Sequence, residues 1–184
     1  MSFTNGTVEL IDGRHVLSFE RELAHPVERV WAALTEPDEL AGWLAEADLE
    51  LAEGGSIVLR WQNHVTEEDA ERYEIELPED DPGPPVVRGT VTRLDPPRLI
   101  EWDTDGHGLL RWELREEGSG CVLTFTNTLP PGADFPLPQS LAGWHLHLDL
   151  LVDALAGKPA DWANWPIERW AEARDGYAMQ HAET

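Results

Sequence analysis

The stretch Gln139–Leu155 constrains this chain more than any other. Leu141, Trp144, Leu148, Leu151, Val152 and Leu155 recur at helical spacing and make one wide apolar stripe. Leu146 and Leu150 project almost opposite, separated from that stripe along one flank by Asp149 and Asp153. A helix that is apolar on two sides has to be covered on both. A sheet is therefore expected against the main stripe. Over Leu146 and Leu150 the cover is either the Trp162/Trp165/Trp170 segment that follows or a second copy of the chain.

The preceding residues supply that sheet. Val8–Ile11 and Val16–Leu23 are joined by Asp12-Gly13, a hairpin signal, and Leu17, Phe19, Arg21 and Leu23 share one face. Pro26–Thr35 carries Val27, Val30, Trp31 and Leu34 at the spacing of a surface helix. Pro37 then opens a second short helix with Leu40, Trp43 and Leu44. From Ala47 the period falls to two. Leu49 and Leu51 lead to a Gly54-Gly55 turn, then Ile57, Leu59 and Trp61 alternate. Val86–Leu94, Ile100/Trp102, Leu110/Trp112/Leu114 and Cys121/Leu123/Phe125 continue the pattern, with Gly or Pro in each turn. This order predicts an α+β plan: a curved antiparallel sheet of six or seven strands wrapped on a long C-terminal helix, with two short helices after the first main strand. Where such a sheet and helix do not quite touch, a ligand-sized space is enclosed.

Charge narrows the partners. Asp and Glu number 36 against 13 Lys and Arg, a net charge of −23, which repels nucleic acid and anionic membrane surfaces. All the cations except Lys158 are arginines, a balance that suits either a salt-rich cytoplasm or an Arg-biased genome. The single cysteine, Cys121, leaves no disulfide framework and no multi-cysteine metal cluster. No apolar run approaches a membrane span, and the N-terminus lacks a basic stretch followed by an apolar one, so a soluble cytoplasmic protein is expected.

Composition shifts twice. Thr66–Pro85 holds nine acids against Arg72 alone and closes in prolines around Gly83. It reads as a solvated loop or hairpin extension, or as a docking surface for a basic partner, and the alternation of Tyr73, Ile75 and Leu77 fits a short strand. Ala156–Trp165 is a Pro/Gly/Ala link, after which Pro166–Tyr177 returns to helical spacing.

The segments HPVERVWAALTEPDELAGWL, GGSIVLRW, GTVTRLDPPRLIEWD, VLTFTNTLPPGA and GWHLHLDLLVDALAG, in that order, resemble the START-like, birch-pollen-allergen-like superfamily (SRPBCC). More narrowly, they resemble its branch similar to the C-terminal domain of the activator of the heat-shock protein 90 ATPase. The resemblance spans about Leu17 to Gly157 and implies a helix-grip domain over residues 1–157, with 66–85 as an acidic insertion. Residues 158–184 are then a Trp-rich C-terminal extension packing on that domain. Members of the superfamily bind lipids, hormones or polyketides, and some are cyclases or hydrolases. The chaperone activators carry a separate N-terminal domain, for which Met1 to Val16 offers no counterpart.

Candidate chemistry is sparse. His145 and His147 flank Leu146, but on a helix they point roughly 200° apart and cannot share a metal. No metal and no cofactor are expected. His145 and Asp149 stand four residues apart and can pair, and one of the two histidines could reach the enclosed space. Cys121, in phase with Leu123 and Phe125, reads as buried and inert. Ser119 lacks the strand–turn–helix setting of a hydrolase nucleophile, Gly54-Gly55 lacks phosphate-loop partners, and no catalytic residue is assigned.

The nine tryptophans say more. Trp61, Trp102 and Trp112 fall on the inward phase of their strands, and Trp144 heads the inward stripe of the long helix. Either they fill a core or they wall a pocket for an aromatic or polycyclic ligand. Asn127 continues the phase of Phe125, so its buried amide must bond protein, water or ligand. The expected ligand-binding set is Trp61, Trp102, Trp112, Phe125, Asn127, Trp144, His145 and Leu148. The expected function is non-enzymatic binding of a small apolar or aromatic molecule. A chaperone-accessory or protein-interaction domain and a cavity-based cyclase or hydrolase are the alternatives, and a homodimer is compatible with all three.

Overall fold

The computed structural model describes residues 5–77, 85–134 and 136–182. The chain opens with a hairpin, β1 (Thr7–Ile11) and β2 (Arg14–Leu23), in which Ile11 faces Arg14 across a two-residue loop. Asp12 and Gly13 both take positive φ, 51° and 75°, as a tight hairpin turn with the strands' own twist requires. Helices α1 (Val27–Thr35) and α2 (Pro37–Leu40) follow. They bury Val27, Val30, Leu34 and Leu40, and the Trp43 indole beyond them donates to the Ala33 carbonyl.

The remaining strands are β3 (Glu46–Leu49), β4 (Ser56–Arg60), β5 (Val86–Asp95), β6 (Leu99–Thr104), β7 (Gly108–Glu117) and β8 (Gly120–Thr128). They form one antiparallel sheet in the order β1-β2-β8-β7-β6-β5-β4-β3, so the second strand pairs with the last. Among the described residues the sheet has eight strands. The short β3, seen in sequence only as residues leading into a turn, pairs with β4 at Ala47↔Leu59 and Leu49↔Ile57. A bulge at Thr92 in β5 bends the sheet, and the Thr92 hydroxyl donates to the Glu101 carboxylate at 2.8 Å.

Helix α4 (Leu137–Leu155) lies across the concave face. Leu141, Trp144, Leu148, Leu151 and Leu155 are buried in the core shared with Leu17, Phe19, Trp102, Trp112 and Phe125. Leu146 and Leu150 are buried as well, on the side where α5 (Ile167–Ala182) packs, and this chain's own tail supplies the cover. Three kinds of contact fix that tail. Arg169 reaches Asp149 at 3.2 Å, Tyr177 meets His145, and the Trp162 indole donates to the Ala41 carbonyl at 2.8 Å.

The acidic segment departs from expectation. Glu67–Tyr73 is a short helix, α3, with no strand at Tyr73. Thr66 caps it by accepting the Asp69 amide, and Glu67, Glu68 and Asp69 occupy the first turn, where the positive end of the helix dipole favours acids. Pro78–Pro84, the rest of that segment, lies outside the described residues. Cys121 is buried in the core, and burial pushes its thiol pKa up, consistent with an inert side chain.

Candidate functional site

At one end of the gap between sheet and α4, a cavity of about 470 Å³ remains. Its position follows from antiparallel geometry. Residues just past β4, at the start of β5, in the β6–β7 turn and at the end of β8 all come to the same edge, opposite the N-terminal half of α4. Trp61 arrives there directly after β4, Val87 from β5, His107 from the turn and Leu129 from beyond β8. Gly143, Trp144 and His147 face it from α4. Among the described residues, none of those lining it is an Asp, Glu, Lys or Arg. In a chain of net charge −23, the interior edge of the sheet–helix gap is neutral.

Trp61, Asn127 and Trp144 of the sequence-derived set line this cavity. Trp102, Trp112 and Phe125 stand behind them. The Trp112 and Phe125 rings stack at 4.0 Å, Phe125 lies 4.7 Å from Trp144, and Trp43 meets Trp112 edge-on at 5.5 Å. The indole N–H groups of Trp102 and Trp112 are buried there without an acceptor among the described residues, which costs about 1–3 kcal/mol each. Leu148 packs in the core one turn along α4. These four side chains support the wall and do not form its surface.

Asn127 is committed to the protein. Its amide nitrogen donates to the carbonyls of His107 at 2.7 Å and Leu109 at 3.3 Å, and its Oδ1 accepts the Trp144 indole N–H at 2.9 Å. It positions Trp144 and the β6–β7 turn together, leaving no donor for a ligand.

His145 faces away. Its Nδ1 is 2.8 Å from the Tyr177 hydroxyl, which also accepts the Gly6 amide, and its Nε2 is 3.7 Å from Asp149. It borders a separate polar recess of about 360 Å³ shared with Asp149, Arg169 and Tyr177. Burial lowers the His145 pKa against the pull of Asp149, and burial raises that of Tyr177.

The histidine that reaches the aromatic cavity is His147, three residues after Trp144 and four after Gly143. Its Nδ1 lies 2.9 Å from the Trp43 carbonyl. Full burial drives its pKa down to about 4, so the ring is neutral at pH 7. His107 joins it from the β6–β7 turn, and burial lowers its pKa too. That turn is locked from several sides. The His107 amide donates to Thr104 Oγ1, and the Thr104 hydroxyl donates to the Gly108 carbonyl at 2.9 Å. Gly108 has φ +73°, and a Cβ there would sit 2.4 Å from the Thr128 carbonyl oxygen. The sequence signal for His107 was its place between Gly106 and Gly108, a turn tight enough to aim one side chain inward. Trp61 contacts both imidazoles, with ring centroids 5.3 Å from His107 and 5.1 Å from His147.

A curved antiparallel sheet gripping a long helix, with a cavity at one end of the gap, defines a helix-grip protein. The family model described as Activator of Hsp90 ATPase homolog 1-like protein matches residues 24–156, and the chain belongs to that family. Solved structures agree on the fold. A Bordetella parapertussis protein is 30% identical, with a TM-score of 0.65 over 97% of this chain and 92% of that one. A conserved protein of unknown function from Enterococcus faecalis is 19% identical, with a TM-score of 0.68 over 97% of this chain and 91% of that one. An AHSA1-like protein from Aeromonas hydrophila is 22% identical, with a TM-score of 0.58 over 79% of this chain and 96% of that one. No curated protein matches the chain. Among the described residues, no helix is long and apolar enough to cross a membrane.

Proposed function

We propose that this protein binds a neutral apolar or aromatic small molecule in the cavity between Trp61 and Trp144. The observation that carries the reading is Gly143. In a helix interior a glycine costs roughly 1 kcal/mol relative to alanine, and nothing in the surrounding fold requires one here. A Cβ at Gly143 would meet no described atom within 4 Å, because the position opens on the cavity and on the smaller recess that adjoins it beside Trp165 and Trp170. The helix forgoes stability where a side chain would fill the space. A volume of about 470 Å³ also falls in the range of roughly 300–1,000 Å³ typical of small-molecule sites, and a charged ligand would find no counter-charge among the described residues of its walls.

Intrinsic tryptophan fluorescence, titrated with neutral two-ring aromatics such as naphthalene, tests the reading. The native protein is expected to show saturable quenching. Gly143→Phe, which puts a ring into the space, is expected to lose it while melting at or above the native temperature. No saturable response from the native protein, or an undiminished one from Gly143→Phe, would refute the proposal.

The exposed acidic first turn of α3 favours a second reading, as a chaperone-accessory surface. It predicts that the chain stimulates a chaperone ATPase and that Glu67→Lys/Glu68→Lys abolishes the stimulation. An unchanged ATPase rate would remove it.

A further inference from the structure

The two histidines of the cavity specify more than an apolar hole. The Trp43 carbonyl can only accept, so His147 Nδ1 must carry the ring proton and donate to it. In a neutral imidazole that leaves Nε2, on the other side of the ring, as a bare lone pair. Among the described residues Nε2 has no hydrogen-bond partner, and its residue lines the cavity together with the smaller recess that adjoins it. His107 makes no side-chain hydrogen bond to the described residues and is free to present either tautomer. The other polar groups at this edge, Asn63, Gln139 and Ser140, are neutral as well. Among the described residues the cavity therefore offers aromatic walls, an acceptor fixed at His147 Nε2, an adaptable imidazole at His107 and neutral amide and hydroxyl groups at its edge, with no charged side chain.

Resting on the binding role proposed above, we infer that the cavity selects a neutral aromatic molecule bearing a hydroxyl group, whose O–H donates to His147 Nε2 with His107 as the second polar partner. A carboxylate or phosphate ligand would face a lone pair instead of a cation. An ammonium ligand would enter without a carboxylate to pair with. A hydroxyl carries the donor that Nε2 lacks at no charge-burial cost.

The test compares 2-naphthol, naphthalene, 2-naphthoate and 2-naphthylmethylammonium by chemical-shift titration of the full chain. A net hydrogen bond of about 0.5–1.5 kcal/mol corresponds to roughly 2- to 12-fold tighter binding of 2-naphthol than of naphthalene. His147→Asn keeps an amide in position to donate to the Trp43 carbonyl and removes Nε2. In that variant 2-naphthol is expected to bind no tighter than naphthalene. In the native protein, the ¹⁵N resonance of the unprotonated His147 nitrogen is expected to move with 2-naphthol and not with naphthalene, a readout that does not depend on the variant folding.

Equal affinity for naphthol and naphthalene in the native protein overturns this inference and leaves the binding role intact. So does a preference that survives in His147→Asn, or tighter binding of the naphthoate or the ammonium. Failure of all four probes to bind would overturn the binding role and the inference together.

Discussion

The Trp144 indole donates to Asn127 Oδ1 across 2.9 Å, and this bond ties the long helix to the last strand among stacked aromatic rings. Asn127 is fully buried and uses its remaining hydrogens on the His107 and Leu109 carbonyls, so a single amide sets the spacing of helix, strand and turn. Asn127→Ala is expected to destabilise the fold by about 3 kcal/mol, because it strands a buried donor and two carbonyls. Asn127→Asp keeps the acceptor for Trp144 but places a carboxylate against two carbonyl oxygens, and should lose at least as much. Urea unfolding midpoints check both. A loss below 1 kcal/mol in each variant would mean the amide positions nothing.

Tyr177 is the corresponding anchor for the tail. Its hydroxyl accepts the Gly6 amide at 2.8 Å and bonds His145 Nδ1 at 2.8 Å, both buried or half-buried. Tyr177→Phe is expected to cost about 1–3 kcal/mol. The loss should appear as faster hydrogen exchange along α5 and at Gly6, with the β6–β8 amides unchanged. Unaltered exchange in α5 would assign the docking to Arg169 and the tail tryptophans instead.

Acid sensitivity follows from the buried histidines. His147 has a folded pKa of about 4 against roughly 6.5 in an unfolded chain, so between those values the unfolded state binds more protons. Its contribution is complete above about pH 6.5 and is lost as the pH falls to about 4. For a fully buried ring the total is about 3 kcal/mol. His107 and His145 are lowered by burial as well and act in the same direction. Stability measured from pH 7 to pH 4 should decline, and His147→Asn should flatten the decline. A profile identical to the native one would show that His147 is not a buried neutral ring.

Gly108→Ala should disturb the site from a distance. The residue has φ +73°, and the added Cβ would meet the Thr128 carbonyl oxygen, so the β6–β7 turn must shift. A destabilisation of about 2 kcal/mol is expected from the strained conformation. The His107 ring resonances should move while those of His145 stay. Retention of native His107 shifts would show that the glycine is not needed to aim that ring.

Much of the frame was legible because it rests on period alone. The Asp12-Gly13 turn, the inward phase of Trp61, Trp102 and Trp112, and the two-sided apolar helix are each written in residue spacing. What stayed hidden depends on relations between elements. The acidic residues 67–73 carry no apolar period, and only Thr66 with Asp69 three residues on, a capping pattern, marks the helix there. His145 and His147 sit at opposite edges of one stripe, and the choice between them is fixed by which elements cover each edge: His147 is seated beside Trp61, and His145 meets Tyr177 of α5. Asn127 satisfies itself on a turn twenty residues upstream in the chain, which no local pattern announces.

The location of a bound probe tests the central claim most directly. In a two-dimensional ¹H–¹⁵N spectrum titrated with naphthalene, the indole signals of Trp61 and Trp144 and the Gly143 amide should shift together and saturate, while the Trp31 indole on α1 stays in place. Shifts that never saturate, or that fall on Trp31 and leave Trp61 and Trp144 untouched, would contradict a cavity that receives ligand between sheet and helix.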